Sequence, residues 1–159
     1  MSGTAISAKQ VDRLNAALAD LLVEAEADAV FISDCGGNLL AYDTTKKDDD
    51  TIYTIAALAA GSFSATRELA GIIGEPTFHS IFHQGEHANI YIESTVSDYL
   101  ILVIFGKQTT VGLVKLFVNK TNTRISPILS DTQGQSVENA DGSDIVFELN
   151  DDEQVFTQQ

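Results

Sequence analysis

The hydrophobic positions of this chain change their period along its length, and each change marks an element. Val11, Leu14, Leu18, Leu21, Leu22 and Ala25 recur at threes and fours and predict an amphipathic helix ending near Ala27. Ser7 with Gln10 three residues on is a capping box, and Ile6 can staple against Val11. Ala29 to Ser33 and Asn38 to Tyr42 are short apolar runs separated by Asp34-Cys35-Gly36-Gly37, which predicts a tight hairpin because paired glycines accept positive φ. Asp43 to Asp50 is polar and reads as a surface loop.

Thr51 to Ile73 predicts a second helix. Ile52, Ile55, Ala56, Ala59, Phe63, Thr66, Leu69, Ala70 and Ile73 form a face expected to pack on a sheet. Ala57, Ala60, Gly61, Ser64, Glu68 and Gly71 form the opposite face, where small side chains permit close helix approach. A glycine inside a helix costs about 1 kcal/mol relative to alanine, so Gly61 suggests a packing purpose. Ala57, Ala60, Gly61, Ser64 and Gly71 are therefore candidate dimer contacts, against the plainer reading of an ordinary exposed face. Gly74 and Pro76 stop this helix.

Thr77 to Gln84, His87 to Glu93 and Tyr99 to Phe105 read as three strands of an antiparallel meander, the last of them central because it is apolar throughout. Thr109 offers an N-cap for a third helix, where Val111, Val114 and Val118 make a stripe widened by Leu113, Leu116 and Phe117. Pro127 predicts an end near Arg124. The order is helix, two strands, helix, three strands, helix: an α/β domain over residues 1–130, with helices on the faces of a five-stranded antiparallel sheet. Residues 131–159 form an acidic tail with eight acids and no Lys or Arg. Gln133 to Asp144 is expected to be disordered. Beyond it, Phe147, Leu149 and Phe156 interrupt the acids and make a candidate partner-binding segment.

Charge narrows the function. A net charge of -14 and a pI near 4.3 argue against nucleic acid, which needs a basic stripe, and disfavour an anionic membrane surface. The N-terminal stretch lacks a signal-peptide core, and Cys35 is the single cysteine, so a cytoplasmic location is expected. No carboxylate pair, activated nucleophile or Gly-rich phosphate turn is visible, and no cofactor is called for. Lys107 and Lys115 read as solvated charges, and Cys35 as a small turn residue. His79 and His83 share one side of a strand but lie about 13 Å apart, too far to hold one metal ion at about 2 Å per bond. With His87 they read as structural or surface histidines.

The segments VFISDCGGNLLA, LAAGSFSATRELAGIIGE, FHQGEHANIYIE and LILVIFGKQTTVGLVKL, in this order of elements, resemble the roadblock family of dynein light-chain type, and within it the bacterial MglB-type regulators. The likeness covers Ala5 to Lys120. It implies a homodimer whose second helices lie side by side and whose sheets join across the axis. It also implies a non-enzymatic GTPase-activating role toward a Ras-like small GTPase of MglA type, acting by remodelling the GTPase without an arginine finger. Carried over by position, Ala60, Gly61, Ser64, Ala65, Arg67 and Glu68 would face the GTPase. The acidic tail resembles one that favours nucleotide exchange. The alternatives are a roadblock scaffold that does not stimulate hydrolysis, and a profilin-like sensor of a small ligand.

Overall fold

The computed structural model describes residues 6–46 and 50–142. Helix α1 spans Ala8–Glu24 and opens on the expected capping box: the Gln10 amide donates to Ser7 Oγ at 3.1 Å, and the Ser7 amide to Gln10 Oε1 at 2.9 Å. Strands β1 (Ala29–Ser33) and β2 (Leu39–Thr44) follow. The turn between them is held by the Asp34 carboxylate, which accepts from the amides of Gly36 and Asn38, both at 2.9 Å. Gly37 has φ +88°, and a β-carbon there would fall 2.8 Å from the Ala57 Cα. The hairpin therefore seats directly on helix α2 (Ile52–Ile72), which no side chain at residue 37 would permit.

Strands β3 (Ser80–Gln84), β4 (Asn89–Ser94) and β5 (Leu100–Phe105) complete an antiparallel sheet in the order β2-β1-β5-β4-β3. The fully apolar β5 lies at its centre, as its composition predicts. Because side chains alternate across a strand, the sheet has two cores. On one face Leu14, Leu18 and Leu21 of α1, with Val114, Val118 and Ile125 of helix α3 (Val111–Gly142), cover Val30, Ile32, Ile101 and Val103. On the other, Ile52, Ala59, Ala60 and Phe63 of α2 cover Phe31, Ile92, Leu100 and Leu102. β4 and β5 are joined through a short 3-10 turn, Val96–Asp98, in which Ser97 and Asp98 both take left-handed backbone, at φ 58° and 65°.

Helix α3 departs from expectation in three ways. Thr110 caps it, its Oγ1 accepting from the Leu113 amide at 3.3 Å, while Thr109 is buried beneath the turn. Leu113 and Leu116 face solvent, so the buried stripe is narrower than the apolar count suggests. The helix also runs straight through Pro127 instead of ending near Arg124, and takes in residues 133–142, which the composition assigns to disorder. A proline inside a helix costs about 3 kcal/mol, whereas burying one large apolar side chain returns roughly 1.5–3 kcal/mol. Ile125, Ile128 and Leu129 are all buried in the core shared with α1, and together they outweigh the single lost bond. The carbonyl of Ile128 is further held by Gln10 Nε2 at 3.4 Å.

Candidate functional site

Helix α2 buries a narrow side: Ile52, Ala56, Ala59, Ala60, Phe63 and Ala70. Ala60 thus lies in the core and not on the outer face where the small-residue pattern places it. It falls three residues before Phe63 and four after Ala56, on the edge of the stripe that meets the sheet. Ala57, Gly61, Ser64, Ala65, Glu68 and Gly71 are exposed, and a β-carbon at Gly61 or Gly71 would meet nothing within 4 Å in this chain.

The apolar side expected to lie inward is only partly there. Leu69 and Ile73, assigned to the sheet-facing side, are 57% and 67% exposed, and Leu58 and Ile72 stand open beside them. α2 packs over β1, β5 and Ile92 of β4, so its flank stops short of β3, whose residues on this side are largely exposed. Ile55, Leu58, Ala59 and Ser62 form one wall of a groove of about 290 Å³ whose floor includes His83, Ile90 and Ile92.

The same flank ends in a free strand edge. β3 pairs with β4 alone. The Ser94 amide donates to the His79 carbonyl at 2.9 Å, so the odd-numbered residues of β3 direct their backbone groups to β4. The alternating ladder leaves the backbone groups of Ser80, Phe82 and Gln84 turned outward. Phe82 stacks on Phe105 with ring centroids 6.1 Å apart and remains 40% exposed.

Arg67 is set back from this surface. Its Nη2 lies 2.9 Å from Asp98 Oδ1 and 3.4 Å from Cys35 Sγ, and its guanidinium sits over the Phe63 ring at 5.3 Å. The Cys35 thiol in turn donates to the Asp98 carbonyl at 2.7 Å. Burial pushes the Cys35 thiol above its ordinary pKa, only partly opposed by Arg67, which is the reverse of an activated nucleophile. Lys107 and Lys115 are exposed, as are His79, His83 and His87. Among the described residues no group of three or more His, Cys, Asp or Glu converges within the chain. The described surface offers apolar contact and an open strand edge.

A model of the Roadblock/LC7 domain matches residues 13–105. The chain belongs to the Roadblock/LC7 family. Among solved structures, the gliding protein MglB of Thermus thermophilus superposes with a TM-score of 0.76 at 25% identity, covering 82% of this chain and 98% of that one. MglB of Myxococcus xanthus gives 0.74 at 29% identity, over 80% and 96%. A Roadblock/LC7 domain from Streptomyces avermitilis, at 15% identity and a TM-score of 0.68 over 73% and 97%, shares the fold. No curated protein matches the sequence. The five-stranded sheet flanked by α2 on one face and α1 with α3 on the other is the roadblock fold.

Sequence reasoning found the small residues of α2 and missed the groove beside them. Leu58, Leu69 and Ile72 do recur at helical spacing, yet the pattern alone cannot say how many strands the helix covers. The tail residues Phe147, Leu149 and Phe156 lie outside the described residues. No helix among the described residues is long and apolar enough to cross a membrane.

Proposed function

We propose that this chain is a homodimeric, non-enzymatic regulator of a Ras-like small GTPase of MglA type. The observation that carries the reading is the continuous open surface made by the outer α2 residues, the groove under Leu58 and the free edge of β3. The second copy occupies the groove flank: two β3 edges pair across a two-fold axis, and Leu58, Leu69 and Ile72 pack with Ala57, Gly61, Ser64 and Gly71 against their counterparts. An apolar flank of this kind beside an unpaired edge is a liability in a monomer and an interface in a dimer.

The paired helices then present Gly61, Ser64, Ala65 and Glu68 to the GTPase, with Ala60 backing them from the core. Arg67 stays with Asp98 and acts as no finger, so stimulation comes from reshaping the GTPase. Similarity to MglB from two bacteria over 80% or more of the chain supports this reading. Single-turnover GTP hydrolysis by an MglA-type GTPase, with and without the protein, tests it. Faster hydrolysis is expected; tight binding at an unchanged rate would make the protein a scaffold instead.

A further inference from the structure

We infer that His83 is half of a binding site for a divalent transition metal of the zinc class, completed only by the second copy. The inference rests on the proposed pairing of β3 edges and gives that interface a ligand. Within one chain, His79 and His83 are four strand positions apart, and no metal group forms among the described residues. Across a two-fold axis the distances change.

The outward backbone groups of β3 belong to Ser80, Phe82 and Gln84, so these must form the hydrogen-bonded pairs with the partner strand. Ile81 and His83 then occupy the non-hydrogen-bonded pairs, in which facing side chains come closest. Pairing all five residues of β3 sets Phe82 against the partner's Phe82, and His83 against the partner's Ile81. The two His83 side chains become diagonal neighbours on the α2 side of the sheet, about 7–8 Å apart at the backbone. A shift of two residues in one direction sets them directly opposite each other. In both registers the two imidazoles can reach one ion at about 2.0–2.1 Å per bond.

The groove that holds His83 is lined by Ile55, Leu58, Ala59, Ile90, Ile92 and Leu102, with Ser62 as its polar member and no charged side chain. An all-nitrogen pair selects zinc, copper or nickel over magnesium and calcium, which require oxygen. Water fills the remaining positions, so the metal exchanges freely and tunes the dimer without being required for it.

The test is sedimentation equilibrium of the full chain at neutral pH in EDTA, in Mg²⁺ and in Zn²⁺. Zn²⁺ should tighten the dimer roughly tenfold over EDTA, since a ligand held only by the associated state shifts the equilibrium toward it, and Mg²⁺ should not. His83→Asn should dimerise as the wild type does in EDTA and lose the zinc effect, while His87→Asn should retain it. No tightening of the wild type, or tightening that survives His83→Asn, overturns the site. Phe82→Lys separates this failure from that of the interface. If it disrupts the EDTA dimer while zinc does nothing to the wild type, only the metal site fails. If it leaves the dimer intact, copies do not meet at β3, and the interface and site fall together.

Discussion

Arg67 and Asp98 form an ion pair of 2.9 Å between α2 and the left-handed turn before β5. The pair is partly solvated, so its worth in stability is small, about 0–1 kcal/mol. Its geometric effect is larger. With Cys35 and the Phe63 ring on its other sides, the guanidinium is held against the two turns at one end of the sheet.

Arg67→Ala should therefore reduce stimulation of GTP hydrolysis by no more than a few-fold, carried by weaker binding. A true finger supplied in trans contributes about 10³–10⁵-fold. Single-turnover rates at saturating protein distinguish the two, and a loss on the finger scale would place Arg67 at the phosphate.

Gly61→Arg and Leu69→Asp should each yield folded monomers. Residue 61 has open space around it within the chain, and Leu69 is mostly solvent-exposed, so neither change disturbs the core. Across the proposed two-fold axis each change would act twice. Light scattering should show the mass halved while circular dichroism stays that of the wild type, and the melting temperature should fall to a value independent of protein concentration.

Pro127→Ala should stabilise the protein. It restores an amide to the interior of α3, worth up to about 3 kcal/mol, without touching the buried Ile125, Ile128 and Leu129 that anchor this turn to α1. Thermal unfolding should move upward; a lower melting temperature would mean the core depends on the distortion proline imposes.

Tyr91 should make the fold sensitive to alkali. Burial raises its pKa to about 12, and the Glu93 carboxylate that accepts its hydroxyl at 2.9 Å adds to the shift. In the unfolded chain a tyrosine ionises near ~10. The folded state thus holds the neutral phenol, a contribution fully present below that pH and lost as pH rises toward 12. Melting temperature should fall over this window in the wild type and fall less in Tyr91→Phe.

A chain ended at Gly142 should keep its dimer and its melting temperature but bind the GTPase more weakly. This cut follows the end of α3, where a cut at Ser130 would remove helix. Phe147→Ser with Phe156→Ser in the full chain preserves net charge and tests the apolar groups alone. Affinities by calorimetry equal to the wild type in both proteins would leave the tail no role in binding.

The sequence made legible what depends on local pattern. The capping box of Ser7 and Gln10, the glycine turn at Gly37 and the apolar run of β5 each specify their own conformation, and the order of elements followed from them. Resemblance to the roadblock family was carried by the same segments. What pattern could not supply were relations between elements. Pro127 reads as a helix stop until the burial of Ile128 and Leu129 is known. Leu69 reads as core because helical spacing cannot tell a covered strand from an uncovered one. Asp98 gave no signal at all, since its partner Arg67 lies 31 residues away in sequence.

The two edges of the sheet differ in what they allow a population of molecules to do. A strand edge that accepts a copy of itself consumes one edge on each molecule; were both edges equally receptive, every pairing would leave two fresh ends, and the sheets would grow as a ribbon without limit. β2, the opposite edge, carries Asp43 and pairs with β1 through a register shift at Ile32 and Ser33 that distorts the ladder. Such irregular, charged edges resist further pairing. Under the proposed pairing of β3 edges, the shift of one residue beside Ser33 would act as a chain terminator and stop growth at two copies.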